Sequence, residues 1–170
     1  MKNKKLRQRG SAMVEFTLIG IPMIFVLIST FEVSRAMWNY HTLAHAIREG
    51  TRYAVVHGSG CASDPLNTCE ATIGQVAQRI QDAGIGLDPS QLTLIFTSGG
   101  HAIPCNLNAC LVDNTLWPEP PKNAPGSAIA ISGSLPFQSA LAMFWPGASA
   151  GGTNFPTFNL TAGSADIIQF

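Results

Sequence analysis

Past its tenth residue the sequence is poor in positive charge. Five of its ten Lys and Arg lie in Met1–Gly10; the others, Arg35, Arg48, Arg52, Arg79 and Lys122, face ten Asp and Glu, so residues 11–170 carry a net charge of −5. A nucleic-acid partner calls for a basic face, and this balance argues against one. Motifs of catalysis are missing as well. There is no G-x-S-x-G, no H-E-x-x-H, no phosphate-cradling Gly-rich loop with a Lys, and no pair of carboxylates placed by a motif. Gly58-Ser59-Gly60 and Ser98-Gly99-Gly100 read as turns. The expectation is a chain that is not an enzyme and needs no cofactor. Nor is there a C-x-x-C pair, the ligand spacing that structural zinc sites usually use. The four cysteines fall instead as Cys61 with Cys69 and Cys105 with Cys110. In an oxidising compartment that reads as two local disulfides, although four cysteines permit three pairings. His101, near Cys105 and Cys110, keeps a metal site open as a second reading.

What the sequence does have is one long apolar run. Ala12–Phe31 is twenty residues with a single charge, Glu15, and as a helix it matches the ~30 Å hydrocarbon core of a bilayer. Lys2, Lys4, Lys5, Arg7 and Arg9 precede it. Basic residues beside a first apolar segment stay cytoplasmic, which places the chain beyond Phe31 on the far, periplasmic side of the membrane. An ordinary secretory signal has an apolar part of ~7–15 residues and a small-x-small cleavage site. The best such site here, Ser34-Arg35-Ala36, has a charge at its centre. A carboxylate in an apolar run costs ~2.5–3.5 kcal/mol at mid-membrane and less near the interface, so Glu15 calls for a partner or a function.

At these residues the chain resembles a known family. A basic leader ending in Gly10, a cut before Ser11, and Glu15 and Phe16 as the fifth and sixth mature residues are similar to the signal of type IV prepilins. Further on, Ala46-Ile47-Arg48-Glu49-Gly50-Thr51-Arg52-Tyr53-Ala54 resembles a stretch of TadE-like pseudopilins of the tight-adherence (Flp-type) pilus. The two motifs lie within roughly the first 57 residues. The resemblance implies a leader, residues 1–10, removed by a prepilin peptidase. It implies storage in inner-membrane lipid, packing against other pilins and pseudopilins through the N-terminal helix, and incorporation in an extracellular fibre or a place at its base. It also raises Arg48, Glu49, Gly50, Arg52 and Tyr53 towards a role between subunits. Ser11 departs from the Phe or Met that many pilins carry there.

The fold expected is α+β and pilin-like, with a membrane-spanning and then amphipathic helix over 11–57 followed by a small periplasmic domain over 58–170. Val33, Met37, Tyr40, Ala44, Ile47, Thr51 and Val55 recur every three or four residues and continue the helix past the membrane. Pro22 weakens or kinks it, and Gly58-Ser59-Gly60 stops it. His41 and His45 share a helix face, which reads as an ordinary solvated pair more than a metal site. A second helix is expected over Glu70–Ala83, with Ile73, Val76, Ala77 and Ile80 inward. Strand character over Gln91–Thr97, Ser127–Phe137 and Phe158–Ile168 gives a three-stranded antiparallel sheet. Ser98–Gly126, with Trp117, reads as a long exposed loop. Gln138–Pro156, with Leu141, Met143, Phe144 and Trp145, reads as a loop capping the sheet or a subunit contact. The rival to the pseudopilin reading is an uncut, signal-anchored periplasmic binding module holding a metal through His101, Cys105 and Cys110.

Overall fold

The computed structural model of the chain describes residues 8–60, 69–139 and 157–169. The chain divides into two compact units, Met1–Arg35 with Ser139–Phe155, and Ala36–Gln138 with Pro156–Phe170. Helix α1, Gln8–Val55, supplies residues to both.

In the first unit α1 is apolar all round. An 18-residue window of mean hydropathy 2.1 is wholly unburied, and Phe16, Leu18, Val26 and Phe31 are exposed by 65% or more. In water that surface would drive aggregation, and a bilayer removes the problem. The polar groups on this stretch are handled inside the helix. Thr17 Oγ1 donates to the Met13 and Val14 carbonyls at 3.1 and 3.0 Å, Thr30 Oγ1 to Val26 at 2.8 Å and Ser34 Oγ to Thr30 at 2.8 Å. Such back-bonding satisfies hydroxyls where no water reaches. The helix continues through Pro22, whose ring deprives the Leu18 carbonyl of its donor without ending the element. Arg35 pairs with Glu32 at 3.1 Å one turn away.

The second unit is built around the end of α1. Leu43, Ala46, Ile47, Gly50, Thr51, Ala54 and Val55 form its buried line. Ile47, Thr51 and Val55 of the expected stripe belong to this line, but Val33, Met37 and Tyr40 are 63%, 51% and 41% exposed. The helix stops at Val55 rather than His57. Helix α2, Ile73–Ala83, buries Ile73, Val76, Ala77 and Ile80 as its period requires. It starts three residues later than the expected Glu70. Thr72 is its N-cap, accepting from Gln75 N at 3.2 Å while Gln75 Oε1 accepts from Thr72 N at 3.1 Å, a reciprocal capping box.

The sheet has four antiparallel strands rather than the expected three: β1 Thr93–Ser98, β2 His101–Asn106, β3 Ala128–Phe137 and β4 Phe158–Ile167, in the order β2-β1-β3-β4. The added strand is β2. Gly99 and Gly100, at φ +53° and +82°, make the two-residue turn that joins it to β1, with Ser98 opposite His101. Pro104 is tolerated because β2 is an edge strand. Leu94, Phe96 and Ser98 of β1 and Ile129, Ile131, Gly133, Leu135 and Phe137 of β3 are the buried residues of those strands. A Cβ on Gly133 would stand 2.8 Å from Ile47 Cδ1, so the missing side chain is what lets α1 lie on the sheet.

The stretch expected as a long exposed loop is largely structured. It holds β2, the short helix α3, Leu107–Cys110, and Trp117, which is 1% exposed. The Trp117 ring meets Phe96 edge-on at 5.1 Å, and the Trp117 backbone N–H donates to the Ala71 carbonyl at 2.8 Å. The same segment supplies acceptors to the start of α2, from Ile73 N to Thr115 O and from Gly74 N to Asp113 O, both 2.9 Å. Bonds from the Thr115 hydroxyl and backbone N–H hold the Asp113 carboxyl below its ordinary pKa. Of Gln138–Pro156, residues 140–156 lie outside the described residues.

Candidate functional site

Sequence reasoning pointed to two stretches of α1, and the structure places both on that helix. Gly10 and Ser11 fall in its first turn. Glu15 and Phe16 are exposed, and Glu15 has no hydrogen bond or ion pair among the described residues. A lone carboxylate near the end of an apolar helix is chemically unfinished, since in lipid it needs a cation to offset its desolvation.

The second stretch divides by face. Gly50 points inward, where a Cβ would lie 2.5 Å from Ile80 Cγ1, so it marks the close crossing of α1 and α2. Arg48, Glu49 and Arg52 point outward, with Arg52 and Glu49 paired loosely at 3.4 Å. Tyr53 lies half-buried between two further groups. The His57 ring is 4.1 Å from its ring, and the Arg79 guanidinium lies 5.0 Å above the ring centroid, a cation–π arrangement. His57 Nδ1 is 2.6 Å from the Tyr53 carbonyl. Together His45, Glu49, Arg52, Tyr53, Arg79 and Asp82 line an open groove of about 560 Å³ between α1 and α2. His57, Arg79 and Asp82 escaped the sequence reading. Their signal was the polar face of α2 and a ring one turn after Tyr53, and neither shows its neighbour until the helices are packed.

The cysteine region is not a metal centre of the kind the rival reading needs. Cys105 and Cys110 form a disulfide with Cα atoms 5.7 Å apart, so neither sulfur is available as a thiolate ligand. His101 Nδ1 lies 3.9 Å from Glu119 instead. No group of three or more His, Cys, Asp or Glu gathers to hold a metal among the described residues, and His41 and His45 stay exposed on the helix. Cys69 is also disulfide-bonded, and Cys61, its expected partner, lies outside the described residues.

The TadE-like protein family model matches residues 10–52, a span that takes in Gly10–Phe16 and the second stretch as far as Arg52, with Tyr53 just beyond it. No curated protein and no solved structure matches the chain.

Proposed function

From a chain that is TadE-like over residues 10–52, we propose a minor pseudopilin, or pilus assembly protein, of a tight-adherence pilus, structural rather than enzymatic. A prepilin peptidase cuts between Gly10 and Ser11. Ala12–Phe31 anchors the product in the inner membrane, with the leader side cytoplasmic and the second unit periplasmic. The helix later packs against other pilin helices in a fibre or at its base, serving pilus biogenesis, adhesion or secretion. The observation that carries this reading is the coincidence on one unbroken helix of the prepilin-like cut site, an unburied apolar span and the TadE-like match. Glu15 then has a role. After the cut the chain begins with an amine four residues before it, and that amine, its own or a neighbour's, offsets the cost of the carboxylate in low dielectric.

Two variants test the reading because they fail differently. Gly10 lets the backbone approach the peptidase closely, so Gly10→Val is expected to keep its leader, whereas Glu15→Ala is expected to be cut and inserted yet not to co-purify with pilus components. Intact mass reads the first outcome and co-purification the second. Processed Gly10→Val together with normal assembly of Glu15→Ala overturns the reading. A full-length mass for the parent protein restores the uncut periplasmic module.

A further inference from the structure

On the solvent side of α1 in the second unit, Trp38, His41, His45, Arg48 and Arg52 follow one another at intervals of three, four, three and four residues, and all five are exposed. That spacing puts them in one line along the helix. Trp38 is 68% exposed and the Arg52 side chain 77%. Arg79 of α2 is held beside the same line by the Tyr53 ring. Three of the five cations beyond residue 10 therefore lie on this side of the second unit, Arg52 and Arg79 lining one groove and Arg48 one turn before Arg52, on a chain of net charge −5 past residue 10. They are only partly neutralised: Arg52 pairs with Glu49 at 3.4 Å. Neither Arg48 nor Arg79 makes an ion pair among the described residues. Asp82, which lines the groove with Arg79, accepts from Gln78 Nε2 at 2.9 Å.

We propose that this face is a docking surface for an acidic helix of a different protein subunit, with carboxylates at the same three-and-four spacing and an apolar contact for Trp38. The proposal rests on the membrane-anchored reading above and gives that reading a second, extramembrane contact. Charge complementarity selects the partner's chemistry, and a two-fold contact with a second copy side by side is excluded. Two copies held in one bilayer run parallel, and a two-fold contact through this line would set Arg48 against Arg48 and Arg52 against Arg52. Lipid headgroups are out of reach. Twelve helical residues separate Arg48 from Ala36, where the unit begins. Even with the lipid surface at Ala36 that is about 18 Å, more than two Debye lengths at physiological salt. Arg79 adds preorganisation, since its guanidinium is already fixed over Tyr53 before a partner arrives.

The test uses the full chain in nanodiscs of uncharged phosphatidylcholine. The probe is a labelled synthetic helical peptide with Glu at three-and-four spacing and one Leu for Trp38, and the control is its Gln counterpart. The Glu peptide is expected to bind at least about tenfold tighter than the Gln peptide at low salt and to lose that preference at about 0.5 M salt. The double variant Arg48→Glu/Arg52→Glu is expected to lose the preference and to gain one for the Lys version of the peptide, an outcome a misfolded protein would not give. Equal binding of Glu and Gln peptides, or a double variant that behaves as the parent, overturns the proposal. So does tighter binding of phosphatidylglycerol vesicles than of the peptide through the same two arginines. Leader removal is read by intact mass on the same preparations. A processed protein without the preference sinks the docking face and leaves the pseudopilin reading standing, and an unprocessed one with it does the reverse.

Discussion

At Gly50 two opposing effects can be weighed. Alanine would favour the helix by about 0.8–1.0 kcal/mol, but its Cβ would stand 2.5 and 2.9 Å from Cγ1 and Cδ1 of Ile80, which is fully buried and closely surrounded. Overpacking of that kind costs about 1–3 kcal/mol, so crowding wins. Gly50→Ala is expected to lower the stability of the second unit by about 1 kcal/mol in urea unfolding. Ile80→Ala removes both crowded atoms, so the double variant should be less destabilised than the sum of the singles. Additive losses, or a Gly50→Ala protein more stable than the parent, would contradict the crossing described. The sequence marked Gly50 through a motif but could not give its reason. The atoms that exclude a side chain belong to α2, thirty residues away in the chain. Arg79 and Asp82 were hidden for the same cause.

Among the elements, those with a clean period were legible. The inward positions of α2, the alternation of β1 and β3 and the length of the apolar span all follow from spacing alone. Strand β2 was not legible, because His-Ala-Ile-Pro-Cys-Asn has no alternation and carries a proline, which only an edge position permits. The Gly99-Gly100 pair directly before it was the usable signal. The start of α2 is likewise written as Thr72 with Gln75, a cap that falls inside the expected Glu70–Ala83 helix. The Cys105–Cys110 bridge fastens β2 to α3, where Leu107 N also donates to the Leu92 carbonyl at 2.9 Å. Closing so short a loop restricts the unfolded chain little, so Cys105→Ser/Cys110→Ser should lose about 2 kcal/mol, the lower end for a disulfide, as a shift of the urea midpoint. A loss well beyond that would mean the bond holds the hairpin rather than trims its unfolded states.

At the scale of the whole molecule, the five basic residues before Gly10 and the apolar helix set the orientation expected in a membrane. Reporter fusions placed after His57 should be active in the periplasm and silent in the cytoplasm, and the reverse pattern would overturn the proposed topology. The assembly of the second unit also has a consequence in time. Its core joins Leu43, Ile47 and Val55 of α1 to Ile168, and the Val55 carbonyl accepts from Gln169 N at 3.2 Å. More than a hundred residues separate these partners in the sequence. At ribosomal rates of about 5–20 residues per second, Val55 waits on the order of ten seconds for Gln169 and the residues around it. Ile80 of α2 and Gly133 of β3 reach the middle of the line before then, so the core closes in chain order and is complete only when the last residues of the chain arrive.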